Sequence, residues 1–186
     1  MATVASAAFD LPERRELPLV IAFADLTRYS AQSLTVSDVE LADTVDALYR
    51  RVAARIEAAG GRVVKFIGDA TLAVFAAGDA DAGVAALLEL KREVDEWMAS
   101  IGWECRMMVK VHFGAAIAGP FGAAATRRFD VIGKAVNTAA MLDATGVALS
   151  AEAFRQLGPE LRKRFKKHTP TITYIRTKDP HRFRRR

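Results

Sequence analysis

Residues 60–75, GGRVVKFIGDATLAVF, hold two apolar segments rich in β-branched residues, separated by the pair Gly68-Asp69. A link of only two residues predicts an antiparallel hairpin, because Gly tolerates positive φ and Asp bonds to its own backbone. The sheet of this protein therefore has antiparallel neighbours. Asp69 lies at the tip of the hairpin, where its carboxylate either serves the turn alone or has a further use.

Two amphipathic helices flank the hairpin. Ser37 and Glu40 form a capping box, and apolar residues recur at spacings of three and four from Leu41 to Ala59, which predicts a long helix. The same spacing predicts a second helix over 80–98.

The remaining elements complete a mixed pattern. Strands are predicted over 17–26, 105–122, 128–133 and 171–177, with the second ending in a Gly/Ala-rich loop, and shorter helices over 134–143 and 150–157. The helices do not alternate strictly with the strands as in βαβ units. The fold class is therefore α+β, with a largely antiparallel sheet and helices on one face.

The composition fits one globular domain. The 186 residues are 51% hydrophobic, which is enough for a full core. The single cysteine, Cys105, excludes an internal disulfide framework and suits the cytoplasm. No apolar run approaches the roughly 20 residues of a membrane helix, and no export signal opens the chain. We expect a cytoplasmic protein without membrane contact, with a flexible lead-in (1–17) and a basic tail (179–186).

The net charge of +5 is concentrated in two basic runs, at 162–168 and 182–186. Such runs bind nucleic acid, lipid or phosphate in some proteins, but a solvated basic tail is the simpler interpretation. No aromatic residues are spaced beside them for base stacking. We therefore expect no nucleic-acid partner.

Two acids mark a candidate site. Asp25 ends the strand over 17–26, and Asp69 lies in the hairpin turn. If these strands pair in the centre of the sheet, the two carboxylates meet at one edge and repel each other unless a divalent ion lies between them. A pair of Mg²⁺ ions bridging a triphosphate is a common use of such a site.

Three segments carry a family resemblance: VIAFADLTRYS, GGRVVKFIGDATLAVF and VHFGAAIAGPFGAAATRRFDVIGKAVNTAAMLD. In this order, within 18–178, they resemble the catalytic domain of class III nucleotidyl cyclases, the adenylate and guanylate cyclase family. The resemblance implies a ferredoxin-like α+β domain that dimerises head to tail, with active sites at the dimer interface. A homodimer is expected, and a heterodimer with another cyclase-like chain is the alternative.

The resemblance assigns Asp25 and Asp69 to two Mg²⁺ or Mn²⁺ ions, with the backbone carbonyl of Leu26 as a further ligand. These ions would activate the ribose 3′-hydroxyl of ATP for attack on the α-phosphate and help pyrophosphate to leave. The implied product is a 3′,5′-cyclic nucleotide.

The resemblance also assigns the base-binding residues. Lys65 and Asp130 match the family's base-contacting positions, and Ile132 lies in the same substrate-binding segment. A Lys donor and an Asp acceptor suit the N1 acceptor and N6 donor of adenine, and not guanine. Asn137 matches the asparagine that orients the ribose. Without the motif, Lys65 is a solvated strand residue, Asp130 a loop cap and Asn137 a helix-surface amide.

Two positions depart from the family pattern. Met141 stands where the family has an arginine that stabilises the α-phosphate in the transition state, and a thioether carries no charge. Arg28 replaces a glycine after the first metal aspartate, where it either blocks the triphosphate loop or supplies a substitute guanidinium. Arg127 and Arg128 are further candidate substitutes.

Lys166 and Lys167 lie near the position of the family's phosphate-binding lysine, although the usual Gly-rich turn is absent. Two functions stay open on these grounds. One is an active, slow adenylate cyclase, and the other is a degenerate cyclase domain that binds nucleotide or a partner without turnover.

Overall fold

The structure is a computed structural model and describes residues 7–168 and 172–178. Within these residues, eight strands form one sheet, which six helices accompany. The strands are β1 (Arg15–Leu26), β2 (Arg62–Ile67), β3 (Ala70–Ala76), β4 (Met107–Phe121), β5 (Arg128–Ile132), β6 (Val147–Ser150), β7 (Phe165–His168) and β8 (Thr173–Arg176). The helices are α1 (Tyr29–Ser33), α2 (Asp38–Ala58), α3 (Ala80–Ser100), α4 (Lys134–Met141), α5 (Ala151–Gln156) and α6 (Pro159–Arg162).

The sheet is open and mostly antiparallel. Its strand order is β2-β3-β1-β4-β6-β8-β7, and β5 pairs with β4. The pair β4–β6 is parallel, and the other strand pairs are antiparallel. The predicted α+β class is thereby confirmed.

The central strand β1 builds two cores because its side chains alternate between the faces of the sheet. Val20 and Ala22 pack with residues of α2 and α3 on one face. Leu19 and Ile21 pack with Ala135 and other residues of α4 on the opposite face. The prediction that the helices share one face was therefore wrong for α4.

The structure differs from the sequence prediction at the start of the domain. The flexible lead-in is predicted over 1–17, but within its described part β1 begins at Arg15 and Phe9 is fully buried. The ring of Phe9 contacts the ring of Phe129 edge to face, with centroids 6.1 Å apart. Burial of this aromatic side chain accounts for the order, because it removes a large apolar surface from water.

Several short elements were not predicted, namely α1, β6, α6 and β7. The Gly/Ala-rich segment expected as a loop continues β4 to Phe121, because β5 pairs with it. The closing strand β8 lies within the predicted range 171–177, whose first residue falls outside the described residues, as does the basic tail 179–186. No helix among the described residues is long and apolar enough to cross a membrane.

A buried polar contact joins β4 to α5. The Nδ1 atom of His112 lies 2.8 Å from Oγ of Ser150, and the same oxygen accepts the amide N–H of Ala153 at the start of α5. Burial lowers the pKa of His112, which favours the neutral ring. His112 therefore has a structural role between the sheet and the start of α5.

Two glycines allow the ring of Phe75 to lie at the centre of the larger core. A Cβ atom on Gly61 would approach this ring to 2.4 Å, and a Cβ on Gly83, inside α3, would approach it to 2.7 Å. Phe75 is fully buried on β3 and cannot move aside without disturbing its neighbours. The two glycines therefore permit the hairpin and α3 to pack closely.

We predict that Gly83→Ala destabilises the protein by about 1–3 kcal/mol through overpacking. In a helix free of this contact, the same change stabilises by roughly 1 kcal/mol. Gly78→Ala is the matched control, because a Cβ there meets nothing within 4 Å. Urea denaturation measures both variants, and a Gly83→Ala protein as stable as the control contradicts the packing argument.

Candidate active site

The two predicted acids meet at one end of the central strand. The backbone N–H of Leu26 donates to Oδ2 of Asp69 at 2.9 Å, which fastens the hairpin turn beside Asp25. The strand register places the two acids near each other, because the pairing of β1 with β3 extends to Ala24 of β1 and Thr71 of β3. The pairing of these strands in the sheet, on which the predicted site depends, is thus present.

Asp25 lies in an electrostatic setting that penalises its charge. Its Oδ1 atom is buried and has no hydrogen-bond partner among the described residues. Burial raises the pKa of the Asp25 carboxyl; the ammonium of Lys110, 4.0 Å from Oδ2, acts against this shift, and the carboxylate of Asp69 adds to it. An unpaired buried carboxylate oxygen beside a second carboxylate is a setting that a cation stabilises.

The hairpin turn is held by α2, which the sequence analysis did not associate with the site. The hydroxyl of Tyr49 donates to the carbonyl oxygen of Gly68 at 2.6 Å, and its ring stacks on Phe66 at 3.8 Å. Gly68 has φ +59°, a conformation that favours glycine. These contacts fix the residue before Asp69 and so limit the positions that its carboxylate can take.

The donor set fits a magnesium-type ion that also binds substrate. No group of three or more His, Cys, Asp or Glu side chains able to hold a metal occurs in residues 7–168 and 172–178. Two carboxylates are nevertheless enough for Mg²⁺, which commonly takes one or two carboxylates together with phosphate oxygens and waters. The orphaned Oδ1 of Asp25 agrees with that role.

The predicted base-binding residues form an ion pair. Nζ of Lys65, on β2, lies 2.7 Å from Oδ2 of Asp130, on β5. The side chain of Lys65 is 36% exposed and that of Asp130 is 14% exposed. The second oxygen of Asp130 accepts the amide N–H of Val131 at 2.8 Å. A donor and an acceptor therefore lie side by side at a partly open position.

The strands that carry this pair are joined by a cluster that sequence analysis missed. The guanidinium of Arg62, on β2, lies 4.1 Å from the ring centre of Phe129, on β5, and donates to the carbonyl of Phe9 at 2.7 Å. A groove of about 290 Å³ beside these residues is also lined by Arg127 and Arg128. The aromatic residue directly before Asp130 was the one signal available in the sequence.

The candidate ribose and transition-state positions lie together on α4. Asn137 and Met141 are four residues apart, so they share one face of the helix, and both are exposed. Met141 is 84% exposed, although it is a large apolar residue. Ile132, which ends β5 just before α4, is also exposed. An apolar exposed residue thus occupies the position at which the resemblance expects an arginine.

The side chain of Arg28 is already engaged in an ion pair, so it is not free to contact Asp25 or Asp69. Its guanidinium pairs with the carboxylate of Glu104, and both side chains are exposed. Its backbone has φ 59°, which makes it the one non-glycine residue with positive φ among the described residues. Arg28 keeps the left-handed conformation that a glycine at this position adopts without strain.

The structure does not bring Lys166 and Lys167 to these groups within one chain. Both residues are exposed on β7, which is four strands from β1 in the sheet. At about 4.8 Å per strand, the separation is roughly 19 Å. Successive residues of a strand also point to opposite faces, so the two lysines do not act together.

We predict that Arg28→Gly yields a more stable protein than Arg28→Ala, by about 1 kcal/mol. Both substitutions remove the ion pair with Glu104, so their difference isolates the strain of the left-handed backbone. Urea denaturation at one pH measures it. Equal stability of the two variants would show that the backbone at Arg28 carries no strain.

Comparison with known proteins identifies the family of this chain. Among curated proteins, an adenylate cyclase of Streptomyces coelicolor is 36% identical over 124 residues, which cover 67% of this chain and 29% of that protein. The chain spans 26% to 29% of the length of the curated relatives it matches.

Solved structures show the same fold. A bacterial light-regulated adenylyl cyclase superposes with a TM-score of 0.78 at 22% identity, over 89% of this chain and 53% of that one. The guanylyl cyclase Cya2 superposes with a TM-score of 0.73 at 21% identity, over 87% and 91%. The family model for the adenylate and guanylate cyclase catalytic domain matches residues 12–181. This chain therefore belongs to the adenylate and guanylate cyclase catalytic domain family.

Proposed function

We propose that the protein is an adenylate cyclase of the cytoplasm, which converts ATP to 3′,5′-cyclic AMP and pyrophosphate as a homodimer. The observation that carries the proposal is the juxtaposition of Asp25 and Asp69 at the end of the central strand, fastened by the Leu26 amide. The Lys65–Asp130 pair on other strands of the chain supports the choice of base. In the reaction, the ribose 3′-oxygen bonds to the α-phosphorus, its proton leaves, and the bond to the β-phosphate oxygen breaks.

Asp25, Asp69 and the carbonyl of Leu26 would hold Mg²⁺ or Mn²⁺, two ions per site. When bound, such ions neutralise phosphate charge and make the attacking hydroxyl more acidic. The chain's own part is to keep both carboxylates in place, which the Leu26 amide and the contact of Tyr49 with the turn achieve.

Adenine fits the Lys65–Asp130 pair by its hydrogen-bonding edge. The Lys65 ammonium would donate to N1, and an Asp130 oxygen would accept from the N6 amino group. Guanine presents a donor at N1 and an acceptor at O6. Its N1 donor would therefore face the Lys65 donor, and its O6 acceptor would face the Asp130 acceptor. An unpaired polar group in a closed site discriminates by roughly ten-thousandfold.

The exposed face of α4 would meet the sugar and the reacting phosphate. Asn137 would orient the ribose, while Met141 offers no charge to the transition state. The lack of a positive charge at position 141 favours slow turnover. It also makes a nucleotide-binding domain without turnover the second candidate, supported by the engagement of Arg28 with Glu104.

A homodimer would complete each site from two chains, with the metal acids of one and the base and ribose residues of the other. The exposed apolar residues Ile67, Ile132 and Met141 lie on or beside the elements that carry these groups. Apolar surface placed around a site is suited to burial by a partner. A heterodimer whose partner supplies an arginine is the alternative assembly.

We predict that the purified protein forms cyclic AMP and pyrophosphate from ATP with Mn²⁺ or Mg²⁺, and that specific activity rises with protein concentration. Asp69→Asn should lower the rate at least about a hundredfold, because it removes a metal-binding charge. The amide oxygen still accepts the Leu26 N–H, so the turn is preserved. Chromatographic detection of both products measures the reaction.

The outcomes of this assay separate the two candidate functions. Product formation that Asp69→Asn abolishes supports the cyclase. ATP binding by calorimetry without any product above the Asp69→Asn background supports the domain without turnover, and rules out catalysis by the homodimer.

We further predict that Lys65→Glu lowers the preference for ATP over GTP, measured as the ratio of kcat/KM values, by at least about tenfold. The double variant Lys65→Glu with Asp130→Lys keeps an ion pair and presents an acceptor and a donor in the order that guanine needs. Lys163→Glu, at an exposed lysine directly after α6, is the control for a change in net charge. An unchanged ratio in the Lys65 variants contradicts the assignment of the base.

A further inference from the structure

Lys110 is a cation built into the candidate metal site. It lies on β4 opposite Phe23 of β1, two residues from Asp25 along that strand. Its Nζ atom is 4.0 Å from Oδ2 of Asp25 and donates to the carbonyl oxygen of Ala140 at 3.3 Å. The side chain is only 19% exposed. The ammonium is therefore held between the acid and the helix that carries Asn137.

Both contacts of Lys110 are ones that a cation prefers. The Ala140 carbonyl lies in the last turn of α4, where the helix dipole and the free carbonyl groups attract positive charge. Asp25 supplies a full negative charge in a setting partly shielded from water, where a charge 4 Å away acts more strongly than at the surface. Two elements thus hold the ammonium, and the lysine is more than a passing surface contact.

Lys110 changes the net charge of the candidate metal site. Asp25 and Asp69 together carry two negative charges, and Lys110 offsets one of them before any ion arrives. A divalent ion approaching Asp25 meets both the carboxylate that attracts it and the ammonium that repels it. The orphaned Oδ1 of Asp25 is the oxygen left for an incoming ion, because Oδ2 faces Lys110.

We propose that Lys110 is a tethered competitor of the divalent ion at Asp25, so that the protein binds its metal more weakly than the two acids alone would allow. The proposal rests on the proposed function for the assignment of the metal to Asp25 and Asp69. Lys110 also stabilises the metal-free protein by pairing with Asp25, and it links the metal site to α4 through Ala140. It acts as a positioning residue for charge, not as a catalytic one.

The test measures metal binding directly. Lys110→Gln removes the charge and keeps an N–H donor for the Ala140 carbonyl, and Lys110→Met removes both. We expect the electron paramagnetic resonance signal of free Mn²⁺ to show about tenfold tighter binding to each variant than to the wild type. Lys163→Met, whose lysine pairs with Glu160 on α6, is the matched control and should bind Mn²⁺ as the wild type does.

A second readout is thermal stability without nucleotide. In metal-free buffer, the Tm of Lys110→Gln should lie below that of the control, and Mn²⁺ should raise it by more than it raises the wild type. Lys110→Arg keeps the charge and should resemble the wild type in both measurements. This variant separates loss of charge from any disturbance of packing.

The outcomes distinguish this proposal from the proposed function. Unchanged or weaker Mn²⁺ binding by Lys110→Gln, together with weakened binding by Asp25→Asn, overturns the competition and leaves the metal assignment standing. Mn²⁺ binding that Asp25→Asn leaves unchanged overturns the metal assignment, and the competition falls with it. Tighter binding by Lys110→Gln that requires Asp25 supports both.

Discussion

The hydrogen bonding of β1 on both of its sides is the constraint on which the rest of the structure depends. Strand β1 pairs with β3 from Leu19 to Ala24 and with β4 over its whole length, and its side chains point alternately into two cores. A slip of one residue would turn Leu19 and Ile21 out of one core and would move Asp25 to the other face. The position of Asp25 is therefore guaranteed by the burial of its apolar neighbours, without any ligand.

The sequence predicted those elements whose formation depends only on residues near one another in the chain. The capping box at Ser37, the periodic residues of α2 and α3, and the Gly68-Asp69 turn each involve only residues that are close together in the sequence. The four-residue strands β6 and β7 carry no period of their own, and the Gly/Ala-rich end of β4 becomes a strand because β5 pairs with it. Burial of Phe9 likewise depends on Phe129, 120 positions later in the sequence.

The candidate site likewise has residues that the sequence predicts and residues that only the structure shows. Membership in a motif predicted four of them, and the structure brings these together as two pairs, Asp25 with Asp69 and Lys65 with Asp130. Tyr49 and Lys110 were missed, since neither belongs to those motifs and each reaches the site from a different element. Their contribution is visible only once the register of β4 and the position of α2 are known.

Each half of the candidate site already places a lysine beside a carboxylate within the single chain. Lys110 lies beside Asp25, and Lys65 is paired with Asp130 at 2.7 Å. Under the proposed function, a nucleotide would replace the Lys65–Asp130 contact with bonds of its own, so only a base that satisfies both groups would avoid leaving one unpaired. Discrimination between bases would then follow from a pair that exists before the ligand arrives.

Met141 offers no positive charge on the face of α4 where, under the proposed function, negative charge would develop during the reaction. The groups that would bind metal, base and ribose are present, and those that would bind the base and the ribose act on substrate and transition state alike. A missing transition-state contact lowers kcat, whereas retained ground-state contacts leave KM nearly unchanged. Arg28 cannot compensate without leaving Glu104, and its left-handed backbone fixes where the side chain starts. In the proposed homodimer the missing arginine would affect both sites, so slow turnover with normal nucleotide affinity is the kinetic pattern that the proposed function implies.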